Sequence, residues 1–191
     1  MDRNDFFLDT GIIFGQFDPK DPYFEGSKNH LDKYSYIDHN YYAVKRITLK
    51  EVDNVSRRKI RERPIRRQFR QAIGLKAASI KIKVENLFSN NIVKDIDYDG
   101  THASFNELYR ILFGFLENHK KDNNPKDRDA KILANVFIWD KEIHELHNPH
   151  LVTIDRGDIV NNREGLKNEA NKCLSCISRL EFCLIQRKHV S

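Results

Sequence analysis

The stretch Phe6-Phe7-Leu8-Asp9-Thr10-Gly11-Ile12-Ile13-Phe14-Gly15 decides how this chain reads. It is short, apolar and bounded by glycine, the pattern of a buried strand that ends in a turn. A second such stretch, Leu151-Val152-Thr153-Ile154, is β-branched and runs into Asp155. Weaker strand candidates lie at 91–99, around Ile92, Val93, Ile96 and Tyr98, and at 181–186.

Helical patterns lie between these strands. From Ile47 onward, Thr48 and Glu51 have the spacing of a capping box. Ile65, Phe69, Ile73, Ile80, Val84 and Leu87 then form a helical stripe to about residue 88, interrupted at Pro64. Ser104 and Glu107 form a second capping box, and Phe105, Leu108, Leu112 and Leu116 follow at helical spacing. A helix is expected over 127–146, with Ala130, Leu133, Ala134 and Phe137 on one face and Asn148-Pro149 ending it. Another is expected over 162–178. Strands separated by helices imply parallel pairing. The expected fold is therefore α/β: a helix-rich, three-layer α/β/α sandwich around a central, mostly parallel sheet.

Composition agrees with that class. The 191 residues are 39% hydrophobic and 32% charged, which suits a folded globule rather than a disordered chain. Eight glycines and five prolines are too few turn residues for a many-stranded sandwich, and favour long helices. Three cysteines exclude a disulfide framework and point to a reducing, cytoplasmic setting. The longest nearly apolar run is 111–116, so neither a membrane span nor a secretory signal is expected. The chain, 1–191, reads as one domain with an inserted, partly helical loop at about 16–46 and a basic helical arm at about 57–88.

The arm dominates the charge pattern. Residues 57–83 hold eleven bases and one acid, a local charge of +10, and the remainder carries −5. A basic arm on an acidic body suits a polyanionic partner, nucleic acid first. Arg57, Arg58, Arg63, Arg66, Arg67 and Arg70 are its candidate contacts with the nucleic-acid backbone. The plainer alternative is a solvated helix face.

The acids fall where an open parallel sheet binds ligands, at the carboxyl ends of strands. Asp9 follows one predicted strand and Asp155 another. Asp127 and Asp129 open a helix, as does Glu51. Carboxylates brought together raise one another's pKa and call for a cation. All-oxygen ligands suit Mg²⁺ or Mn²⁺ better than Zn²⁺. Each acid also has a structural reading: a turn for Asp9, a capping box for Glu51, helix N-terminal acids for Asp127 and Asp129, and a polar turn for Asp155 and Asp158.

Four segments in order carry a resemblance. They are Phe6-Phe7-Leu8-Asp9-Thr10-Gly11-Ile12-Ile13, Ile47-Thr48-Leu49-Lys50-Glu51-Val52, Asp127-Arg128-Asp129-Ala130-Lys131-Ile132-Leu133-Ala134 and Leu151-Val152-Thr153-Ile154-Asp155. In order and spacing the chain resembles the PIN-domain ribonucleases. The resemblance implies Mg²⁺- or Mn²⁺-dependent cleavage of RNA by a metal-activated water. It implies that Asp9, Glu51, Asp129 and Asp155 are catalytic and face the metal. Thr10 and Thr153 would support them, and Asp158 would assist. Asp127 competes with Asp129 for the third position. A toxin role would add an antitoxin-like protein inhibitor as a partner, and the 16–46 segment suits a homo-oligomer interface or a substrate-binding addition. The alternatives are a non-catalytic RNA- or ribosome-binding protein of the same fold and a structure-specific DNA nuclease.

Other motifs carry less. There is no GxGxxG or P-loop pattern, and no second Asp two residues after Asp9 as haloacid-type phosphatases use. His144 and His147 stand three apart rather than four, and Cys173, Cys176, Cys183 and His189 lack the ligand pair that would close a zinc site.

Overall fold

The structure, a computed structural model, describes residues 3–34, 38–61, 67–120, 126–143 and 147–187. The side chains of 3, 55–61, 67–70 and 73 lie outside the description. The first strand, β1, runs Arg3–Leu8 and stops one residue short of Asp9. The expected strand through Gly15 is only half strand, because Thr10–Gly15 is a short helix, α1. A single turn of apolar residues carries no periodicity long enough to distinguish it from a buried strand.

The segment expected to be an inserted loop holds a helix, α2 (Phe24–Lys33), and a strand, β2 (Asn40–Ala43). β2 pairs with β1 in parallel, Phe6 opposite Tyr41, so this segment builds the sheet rather than decorating it. Helix α3 spans Lys45–Arg61 and α4 spans Arg67–Ser89. Because α3 begins at Lys45, Thr48 lies inside the helix and donates its hydroxyl back to the Val44 carbonyl at 2.9 Å. The capping-box reading of Thr48 and Glu51 is thereby corrected, and Glu51 has no capping duty.

The two-residue strand β3 (Lys94–Asp95) pairs with β2. Helix α5 (Phe105–His119) follows, with Ser104 at its N-cap but without the expected side-chain capping bond. Helix α6 spans Asp127–Glu142. It ends before the expected residue 146, which lies outside the described residues. Asn148 and Pro149 do not end it. They belong to β4 (His147–Thr153), where Pro149 stands opposite Asp5 of β1. Helix α7 (Arg163–Leu174) and strand β5 (Glu181–Leu184) complete the order.

The five strands form one all-parallel sheet in the order β3-β2-β1-β4-β5. Strand alternation sends β1 side chains to two cores. Phe6 and Leu8 join Ile12, Ile13, Val52, Ile80 and Val84 on the side of α1, α3 and α4. Phe7 joins Leu108, Leu112, Leu133, Phe137 and Leu166 on the side of α5, α6 and α7. The expected three-layer α/β/α sandwich is the fold. Its chain order reverses direction between β1 and β4: the path leaves β1 toward β2, then crosses back to the other side. Such a switch point opens a crevice at the carboxyl ends of the two strands. Among the described residues, no helix is long and apolar enough to cross a membrane.

Candidate active site

Asp9 and Asp155 follow the adjacent strands β1 and β4 at this switch point, where Leu8 pairs with Val152. Asp9 occupies the N-cap of α1 with an extended backbone, yet its side chain makes no cap bond. Its carboxylate instead accepts the Thr153 hydroxyl at 2.8 Å. The same hydroxyl oxygen accepts the backbone N–H of Asp155 at 3.0 Å. One threonine thus joins the two acids across the strand pair. Gly11 lets α1 lie close to Ile154, the residue after β4: a Cβ there would stand 2.6 Å from the Ile154 Cδ1.

Glu51 comes from α3 and Asp129 from the first turn of α6. With Asp9, Asp155, Tyr23, Arg128 and Arg156 they line one pocket of about 450 Å³. Burial pushes the Asp9 carboxyl up to about 6, and the neighbouring Glu51 carboxylate adds to the effect. The Thr153 bond and the Arg128 charge act in the opposite direction. Burial likewise raises Asp129 to about 6; Arg128 draws it down, while Asp9 and Asp155 push it up. Acids raised in this way are those a cation would relieve.

Asp127 stands apart. It is absent from the pocket lining and accepts the Tyr109 hydroxyl at 2.6 Å, a bond that holds its carboxyl below the usual range. Two residues along a helix turn the side chain by about 200°, so Asp127 and Asp129 cannot face the same way. Asp158 is buried against Lys126, with Nζ 2.6 Å from Oδ2, and its backbone N–H donates to Asp155 Oδ1 at 2.9 Å. It is tied to the site through Asp155 rather than set in the lining. Thr10 is buried at the start of α1 and makes no hydrogen bond to the acids among the described residues.

Sequence reading missed two basic residues. Lys126 joins the start of α6 to the loop after β4, and so sets Asp129 relative to Asp155. Arg128 pairs through Nη1 with Glu51, and its Nη2 stands 3.3 Å from Asp129 Oδ1. The available signal was a lysine and an arginine beside the acids that open α6.

The residue types fit Mg²⁺ or Mn²⁺, because the four lining acids offer oxygen and, among the described residues, no His or Cys lines the pocket. Among the described residues, no three His, Cys, Asp or Glu stand as a group that could hold an ion. Among the described residues, the alternative zinc residues form no group that could hold an ion either. Cys173, Cys176 and Cys183 are free thiols, and His144 and His189 lie outside the described residues.

The arm is partly described. Arg57, Arg58, Arg67 and Arg70 lie on the backbones of α3 and α4, but their side chains, and Arg63 and Arg66 entirely, lie outside the described residues. Two lysines of the arm pair with the body: Lys76 Nζ lies 2.5 Å from Asp18, and Lys81 Nζ lies 3.0 Å from Asp53. In comparison with known proteins, no family model, no curated protein and no solved structure matches the chain.

Proposed function

We propose that this protein is a metal-dependent endoribonuclease of the PIN type. One observation carries the reading: Asp9, Glu51, Asp129 and Asp155, from four distant segments, line a single pocket at the switch point of a parallel sheet. Mg²⁺ or Mn²⁺, when bound, would supply Lewis acidity toward the phosphate oxygens and would lower the pKa of a bound water for phosphodiester hydrolysis. Asp9, Asp129, Asp155 and Glu51 would hold the ion. Thr153 keeps Asp9 and Asp155 aligned, and Lys126 with Asp158 keeps the start of α6 beside the β4 loop. The basic arm would attract the RNA backbone toward this net-acidic cleft. If the protein is a toxin, its further partner would be an antitoxin-like inhibitor.

A second reading, a non-catalytic RNA- or ribosome-binding protein of the same fold, is favoured by Arg128, whose positive charge already bridges two of the acids. Incubation of the purified protein with labelled RNA and with DNA, in Mg²⁺, in Mn²⁺ and in EDTA, separates the two. RNA cleavage abolished by EDTA is the expected result. RNA binding without cleavage in either metal supports the second reading, and preferential DNA cleavage would make the protein a DNA nuclease.

A further inference from the structure

Four carboxylates around one pocket repel one another in the absence of a cation, and the metal-free fold must offset that repulsion. Arg128 does so. Its guanidinium is a flat, permanently charged fork, suited to reach two carboxylates at once. One prong is bonded to Glu51 of α3 and the other lies 3.3 Å from Asp129 of α6, so a single side chain joins acids held by two different helices. Its charge also acts on Asp9. Arg156 lines the same pocket but makes no ion pair with these acids among the described residues. The Arg128 side chain is 49% exposed, so solvent lies beside it and it has room to leave.

We propose that Arg128 is a resident counter-ion: it occupies the acid cleft when no divalent cation is bound, and cation entry must displace it from Glu51 and Asp129. The proposal rests on the metal-dependent reading of the same site and adds a control to it. Arg128 and the divalent cation compete for the same oxygens, so each weakens the other's hold by the same factor. The protein then binds its cation less tightly than four carboxylates alone would, and the metal-free Glu51 and Asp129 remain paired.

The test is calorimetric titration of Mn²⁺ into the full-length protein and into its Arg128→Gln, Arg128→Lys and Arg156→Gln variants. Arg128→Gln should bind Mn²⁺ roughly tenfold more tightly, within the range usual for coupled sites. Arg128→Lys, which keeps the charge but loses the fork, should fall between wild type and Gln. Arg156→Gln should change affinity much less. Should Arg128→Gln fail to fold without metal, the Lys variant carries the comparison, and an affinity at or below wild type overturns the proposal. Unchanged or weaker binding in Arg128→Gln also overturns it, as does an equal gain in Arg156→Gln, which would mean only general charge. Mn²⁺ binding by Arg128→Gln but not by wild type supports the proposal in its strongest form. If wild type binds Mn²⁺ and cleaves RNA while Arg128→Gln binds no better, the counter-ion role fails and the nuclease reading stands. If no variant binds Mn²⁺, both fall.

Discussion

The Thr153 hydroxyl donates to the Asp9 carboxylate at 2.8 Å, and its oxygen accepts the backbone N–H of Asp155 at 3.0 Å. A residue of β4 thereby sets the direction of the acid that follows β1. Thr153→Val keeps the shape and removes both bonds. It should weaken Mn²⁺ binding on the order of 10- to 100-fold, as losses of groups that orient metal ligands do. Thr153→Ser should restore most of it. Calorimetric titration of the two variants checks this, and equal affinity in Val and wild type would remove Thr153 from the site.

The lining acids should be individually required. Asp9→Asn, Asp129→Asn and Asp155→Asn each exchange a charged oxygen for an amide at nearly constant shape, and each should abolish RNA cleavage without unfolding the protein. Glu51→Gln should do the same, since Glu51 lies inside α3 and has no capping duty to explain it. Asp127→Asn should cleave normally, because Asp127 faces Tyr109 rather than the pocket. Cleavage rates, with circular dichroism to confirm folding, decide the set.

The Lys126–Asp158 pair should matter for stability more than for chemistry. Both side chains are almost fully buried, at 4% and 9% exposure. Lys126→Met leaves the Asp158 carboxylate without that cation and should cost about 3–5 kcal/mol. Lys126→Met combined with Asp158→Leu should recover much of the loss. Urea unfolding of the single and double variants gives the comparison, and a double variant no more stable than the single one would count against the account.

Metal binding should depend on pH through Asp9 and Asp129, both raised to about 6 by burial and neighbouring acids. Because the folded values exceed the unfolded ones, the metal-free protein holds extra protons between about 4 and 6, and the stabilising contribution of those protons is lost as pH rises through about 6. A divalent cation must expel the same protons. Mn²⁺ affinity should therefore climb steeply with pH up to about 6, by as much as roughly two log units per pH unit, and level off above it. Titrations near pH 5, 6 and 7.5 test this, and a flat profile would contradict it.

The basic arm should act on RNA without regard to sequence. Changing Arg66 and Arg70 to Ala should weaken binding of different single-stranded RNAs alike, since phosphate contacts carry no base identity. If both residues touch phosphates, the log–log salt slope should flatten by roughly 1.4. Lys76 and Lys81 already pair with Asp18 and Asp53, so their replacement should change the slope less. Unchanged affinity of the double arginine variant at low salt would take the arm out of the mechanism.

What the sequence by itself determined is the class of fold and the chain positions of the acids. Phe6–Leu8 and Leu151–Thr153 are recognisable because strands buried on both faces are continuous apolar runs, and α5 because Phe105, Leu108, Leu112 and Leu116 repeat at helical spacing. Asp9 and Asp155 could be placed at strand ends for the same local reason. Other features required the assembled tertiary structure. Asn40–Ala43 mixes polar and apolar residues over only four positions, and becomes a strand because β1 offers a partner for it. The choice of Asp129 over Asp127 depends on how α6 is rotated against the sheet, which no local pattern encodes. The bridges from Thr153 to Asp9, Lys126 to Asp158 and Arg128 to Glu51 span 144, 32 and 77 residues. Contacts between such distant positions leave no periodicity in the sequence. They exist because the reversal of strand order between β1 and β4 brings the ends of those two strands, the start of α6 and the first half of α3 together at one edge of the sheet.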